Sequence, residues 1–113
     1  MESRLDGCGL DVALEVVGGK WKPLVIYHLR GEPRRFGELR RLIGGISEKV
    51  LIQQLRELTN DGVIVRRDYQ EVPPRVDYIM TDLGRTLAEA LKPLCDWGES
   101  HRSQVIGLRS ATG

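Results

Sequence analysis

The chain has 113 residues, 17 Lys and Arg against 16 Asp and Glu, and a hydrophobic share of 41%, enough for one domain with a real core and too short for two. Its apolar residues never run for the ~18 uninterrupted positions of a membrane helix, and its acidic start does not read as a secretory signal, so the cytoplasm is the expected location. A net charge of +1 speaks, as a total, against a nucleic-acid binder.

In chain order, Leu10 to Val17 reads as a short amphipathic helix ended by Gly18 and Gly19. Trp21 and Lys22 lead into Pro23, which a helix tolerates in its first turn, and Leu24 to Leu29 form a compact apolar helix closed by Gly31. In the segment RRFGELRRL, Phe36, Leu39 and Leu42 are spaced for one buried face, with Arg40 and Arg41 largely off it. IGGI then supplies a tight turn. Ser47 stands where an N-cap belongs, and SEKVLIQQLRELTN turns Val50, Leu51, Leu55 and Leu58 inward at roughly 100° per residue. Opposite them lie Lys49, Ile52, Gln53, Arg56 and Asn60, a set of donors, acceptors and methyl groups suited to reading base edges in a major groove. A helix with only a structural role would more often carry Glu/Lys pairs there.

Asp61 and Gly62 end that helix, because Gly takes the left-handed position without a Cβ clash. VIVRRDY follows as a strand, Glu71 to Arg75 with two adjacent prolines forms a tip that cannot continue a ladder, and RVDYIM returns. Thr81 caps a last helix whose Leu83, Leu87, Leu91 and Leu94 recur every three or four residues, with Trp97 close to the same stripe. Pro93 should kink or split it, and Ser110 to Gly113 should fray.

The pattern predicts an α+β, mainly helical fold, a winged helix-turn-helix with a two-stranded wing and flanking N- and C-terminal dimerisation helices. It forms a single domain over 1–113, with N-terminal helices over 8–31, the helix-turn-helix over 34–61, the wing over 62–80 and a C-terminal dimerisation helix over 81–107. Charge follows the same division: residues 20–67 carry eleven basic against five acidic side chains, while 1–19 sum to −3 and 68–113 to −2. Positive charge gathered on one segment is the footprint of phosphate contact. Arg40, Ser47, Lys49, Gln53 and Arg56 are the expected double-stranded DNA contacts of the helix-turn-helix, with Gln53 reading a base and Ser47 meeting a phosphate at the helix N-terminus. Arg66, Arg67 and Arg75 would hold the wing on phosphates or in a minor groove. Because a winged helix has its own core, the apolar positions running on to Ile106 point to a second copy of the chain as the surface that covers them.

Laid end to end, CGLDVALEVVGGKW, RRFGELRRLIGGISEKVLIQQLRELTNDGVIVRR, EVPPRVDYIMTDLG and the Trp97-Gly98 pair resemble the HxlR-type transcriptional regulators, winged-helix proteins related in fold to the MarR group. The resemblance covers Cys8 to about Trp97 and implies a cytoplasmic homodimer on operator DNA. It also implies a thiol sensor near the N-terminus, here Cys8, responsive to oxidation or electrophiles; the competing reading of Cys8 is an inert buried hydrophobe. Cys95, beside the leucine stripe, reads as packing. Glu2, Asp6 and Asp11 disfavour a thiolate at Cys8, so activation would have to come from a helix N-terminus or a basic group. Two positions depart from the family: Gly9 stands where many relatives have proline, and Ile52 where relatives are often polar.

No cofactor or catalytic group is expected. Two separated cysteines and two histidines lack the close ligand pairs of a zinc site. GGKWK fails as a phosphate loop because Leu14 and Trp21 hold the first and last positions of that motif, and no nucleophile stands at a recognised spacing from His28 or His101. Two alternatives remain: a winged-helix protein-interaction module without a DNA site, and a small-molecule-responsive regulator using a cleft between the dimerisation helix and the winged core, to which Trp21 and Trp97 would contribute.

Overall fold

The computed structural model describes residues 8–112. Helices α1 (Gly9–Val17), α2 (Trp21–Leu29), α3 (Phe36–Ile43) and α4 (Glu48–Asn60) precede strands β1 (Ile64–Asp68) and β2 (Val76–Met80), and α5 (Asp82–Ser100) and α6 (Arg102–Thr112) complete a winged helix-turn-helix.

Local chemistry sets the ends of the two central helices. The Glu38 carboxylate accepts the Arg35 backbone N–H at 3.0 Å, satisfying a donor that would otherwise be orphaned at the start of α3. Gly44 and Gly45, at φ 70° and 72°, turn the chain through a region costly for any side chain with a Cβ. The Ser47 hydroxyl accepts from the Val50 N–H at 3.1 Å and caps α4, which Gly62 at φ 76° follows. One inward position differs from the spacing argument. Leu42 is exposed, and Phe36, Leu39 and Ile43 face the core instead. Relative to Leu39, Phe36 and Ile43 fall on one side of the helix and Leu42 on the other, as a 100° step requires.

The core lies where α2, α4 and the base of the wing converge. Val25, Ile26 and Leu29 of α2 pack with Leu39, Leu51, Leu55, Leu58, Val63, Ile64 and Met80, all buried. Each large aliphatic side chain so enclosed contributes about 1.5–3 kcal/mol. β1 and β2 are antiparallel, Ile64 facing Met80, Arg66 facing Tyr78 and Arg67 facing Asp77. The free edge of β2 is also paired: Arg34 and Tyr78 exchange backbone hydrogen bonds of 3.1 and 2.8 Å, tying the wing to the lead-in of α3.

α5 begins at a crowded joint. Thr81 caps it by accepting from the Gly84 N–H at 3.0 Å, while its hydroxyl hydrogen is shared between the Gly62 and Val63 carbonyls at 2.6 and 3.0 Å. The helix then runs on through Pro93, which neither splits nor ends it; the break comes at His101. Pro93 deprives only the Glu89 carbonyl of a partner, and Glu89 is exposed, so solvent can satisfy it. Helix α6 extends to Thr112 rather than fraying from Ser110, and Gly113 lies outside the described residues. Leu10 and Leu14 of α1, Leu83, Leu94 and Trp97 of α5 and Ile106 of α6 are exposed.

Two glycines separate packing from propensity. A Cβ at Gly84 would run into the Val63 carbonyl and stand 2.7 Å from Met80 Cγ, whereas one at Gly37 meets only the end of the Arg41 side chain. Gly84→Ala should therefore destabilise by about 2 kcal/mol or more despite its better helix propensity, while Gly37→Ala should stabilise by about 0.5 kcal/mol. Urea titration of both variants checks the opposite signs.

Candidate nucleic-acid interface

With Leu51, Leu55 and Leu58 committed to the core, α4 leaves Lys49, Ile52, Gln53, Arg56 and Asn60 exposed on its outer face. Among the described residues, Lys49 and Arg56 have no carboxylate within ion-pairing distance. Ser47 spends its oxygen on the cap and stands with the first N–H groups of α4, a positive helix end suited to an anion. Arg40 on α3 is exposed, and its Nε donates to the Ile46 carbonyl at 3.4 Å, bracing the turn between the two helices.

On the wing, Arg66 and Arg67 are exposed on β1. Arg75 is placed differently. Its Nη2 donates to Asp77 Oδ2 at 3.2 Å, its guanidinium lies over the Tyr69 ring at 4.2 Å, and its Nε is buried without a partner. The Asp77 hydrogen bond, and after it the Asp77 charge, raises the pKa of Arg75. Of the eight expected contact residues, Arg40, Ser47, Lys49, Gln53, Arg56, Arg66 and Arg67 are exposed, whereas Arg75 is turned onto the protein. Tyr78 packs against the core, as a strand residue.

Two charged residues that matter here were not singled out in the sequence. Lys22 is 8% exposed, and its ammonium donates to Glu57 Oε1 of α4 at 2.8 Å. That hydrogen bond, then the Lys22 charge, and to a smaller degree the Gln53 amide, hold the Glu57 carboxyl below its ordinary pKa. Helix α4 is therefore fastened to α2 one turn along from Gln53. Lys22 shares the inward face of Val25, Ile26 and Leu29 by helical spacing, which was a visible sign; its partner, 35 positions away, was not. Asp77, 6% exposed, is the other.

Cys8 is the N-cap of α1 and is exposed. Its thiol pKa is lowered, first by the Asp11 backbone N–H and then by that of Leu10. A helix N-terminus is thus present at Cys8; Glu2 and Asp6 lie outside the described residues. Cys95, expected to be packing, is exposed instead. The leucine stripe leaves the domain's own core at about Leu91: Leu94 is 66% and Trp97 55% exposed.

A groove of about 810 Å³ separates α2 from α5, with Leu24, Ile26, Tyr27, Ala88, Leu91 and Cys95 among its walls. Neither Trp21 nor Trp97 lines it. Trp21 packs against the core, and Trp97 stacks on His101 with ring centroids 4.7 Å apart. No helix of the described residues is long and apolar enough to cross a membrane.

Comparison with known proteins points the same way. The model of the HxlR-like helix-turn-helix family matches residues 16–105. The HTH-type transcriptional regulator YdeP of Bacillus subtilis is 42% identical over 106 residues, 94% of this chain and 83% of that protein. YtcD of the same organism is 45% identical over 107 residues, 95% of this chain and 85% of YtcD. Among solved structures, the redox regulator HypR in its reduced form superposes with a TM-score of 0.83 at 40% identity, covering 88% of this chain and 99% of that one. The reduced form of the B. subtilis regulator YodB gives 0.72 at 30% identity, over 81% and 91% of the two chains.

The Lys22–Glu57 pair should be asymmetric to mutation. Glu57→Ala leaves an ammonium buried without its counter-charge and should lower the urea midpoint clearly, whereas Lys22→Met removes the buried charge itself and should lower it less. Because the folded-state pKa of Glu57 is depressed, its contribution is present above the unfolded value and is lost as pH falls through the folded one. The midpoints of wild type and Glu57→Gln should therefore converge on acidification.

Proposed function

The chain belongs to the HxlR-like helix-turn-helix family and is a transcriptional regulator of helix-turn-helix type, and we propose that it acts in the cytoplasm as a homodimer on an inverted-repeat DNA operator. The observation that carries this reading is the division of α4 between a fully buried face and an outer face of Lys49, Ile52, Gln53 and Arg56, flanked by the exposed Arg66 and Arg67. Gln53 reads a base edge, with Ile52 beside it for a thymine methyl. Ser47 and the α4 N-terminus, Arg40, Lys49, Arg56 and the two wing arginines take phosphates. The exposed apolar residues of α1, α5 and α6 supply the second copy's contact surface, and two recognition helices then sit about 34 Å, or one helical turn, apart.

Sequences selected from a random duplex pool should contain an inverted repeat with that half-site spacing; a protein-interaction module would recover none. Arg66→Ala with Arg67→Ala should weaken operator and random DNA alike and flatten the salt dependence by about one unit per lost contact. Gln53→Ala should lose about 1–3 kcal/mol at one base position only. Equal losses on every sequence would mean that α4 is not the reading helix.

The regulator is further proposed to respond to thiol oxidation through Cys8. Support comes from its exposed place at a helix N-terminus, its lowered pKa and the likeness to HypR, whose structure is that of a redox regulator. Diamide takes two electrons from the Cys8 thiolate and a second thiol, which join as a disulfide; the second thiol is a small-molecule thiol or Cys95 of the partner subunit. Cys8→Ser should keep DNA binding in a gel-shift titration but no longer release DNA on diamide, while Cys95→Ser keeps part of the response. Identical release by wild type and Cys8→Ser would instead favour the second reading, a small-molecule effector in the groove between α2 and α5.

A further inference from the structure

Asp77 is a carboxylate withdrawn from water in a wing whose facing strand is mostly exposed. Such a group is costly unless its oxygens are paired, and here three donors converge on it. Tyr69 Oη donates to Oδ2 at 3.1 Å, Arg75 Nη2 to the same oxygen at 3.2 Å, and Arg35 Nε stands 3.9 Å from Oδ1. Arg35 is the N-cap of α3, so the cluster bridges the wing and the helix-turn-helix. Two of the three donors are arginines at the junction that would meet the DNA backbone. Arg67, directly across the ladder from Asp77, forms no ion pair with it and stays exposed.

We propose that Asp77 is a positioning residue that sets the wing's affinity for DNA, an internal stand-in for phosphate that keeps Arg75, and more loosely Arg35, on the protein and leaves Arg66 and Arg67 as the wing's DNA contacts. The inference rests on the DNA-binding reading above. Each phosphate contact adds affinity on every sequence equally. Engaging these cations internally therefore lowers the affinity for operator and random DNA by a common factor and leaves discrimination to the base contacts of α4.

The test is the salt dependence of binding of the full chain to a random-sequence duplex and to the selected operator. Asp77→Asn keeps the shape and an acceptor for Tyr69 but removes the charge. It should bind random DNA and operator more tightly by a similar factor and steepen the slope of log affinity against log salt by about one to two units on both. Adding Arg75→Gln to it should return about one unit of slope. Arg75→Gln alone should leave the slope of the wild type nearly unchanged, because that cation is already engaged. A slope unaltered or flattened by Asp77→Asn, or flattened by a full unit by Arg75→Gln alone, overturns the proposal; the Arg75→Gln measurement decides should Asp77→Asn fail to fold. Absence of any salt-dependent duplex binding by the wild type would instead sink the DNA-binding reading, and this proposal with it.

Discussion

The carbonyl of Val63 is the point on which the arrangement depends. It accepts from the backbone N–H of Thr81 at 3.1 Å and from the Thr81 hydroxyl at 3.0 Å, while the N–H of Val63 reaches back to the Leu58 carbonyl at 3.1 Å. The end of α4, the base of the wing and the start of α5 are thereby held within one residue's reach. Gly84 makes the closeness tolerable, since any side chain there would collide with that carbonyl. Movement of α5 relative to the wing would have to break a buried, fully paired set of backbone groups, which is costly. The orientation of the outer face of α4 relative to the exposed apolar face of α5 is therefore built into the protomer.

Charge is sorted by where it is spent. Lys22 and Asp77 are buried and paired, Lys22 with Glu57 and Asp77 with Arg75 and Arg35, whereas Lys49, Arg56, Arg66 and Arg67 stand exposed and without an ion pair among the described residues. The total of +1 conceals this. What a polyanion meets is the set of cations left over after internal pairing, which includes Arg40 and Arg41 of α3 as well as those of α4 and β1.

At Cys8 the start of α1 acts on the thiol, because the N–H groups of a helix's first turn are held in place by the helix. The backbone N–H groups of Asp11 and Leu10 lower the thiol pKa. The same helix carries Leu10 and Leu14 outward, so the thiol stands beside apolar surface that the protomer does not cover.

By itself the sequence determined the elements and the outward face of α4. The leucine spacing of α4, the Ser47 and Thr81 caps, Gly62 and the proline tip of the wing are signals that act within a few residues, and the structure contains the helices and strands they specify. The outward placement of Lys49, Gln53 and Arg56 followed from the same periodicity. Tertiary structure decided the rest: that Ile43 rather than Leu42 faces the core, that α5 passes through Pro93 and breaks at His101, that Cys95 is exposed, and that Arg75 turns inward to Asp77. Lys22 finds Glu57, and Arg35 finds Asp77, only once α2, α3, α4 and the wing are packed. Caps and periodicity are local in the chain, whereas an ion pair between distant residues depends on how whole elements dock, and nothing in the neighbourhood of either partner encodes that.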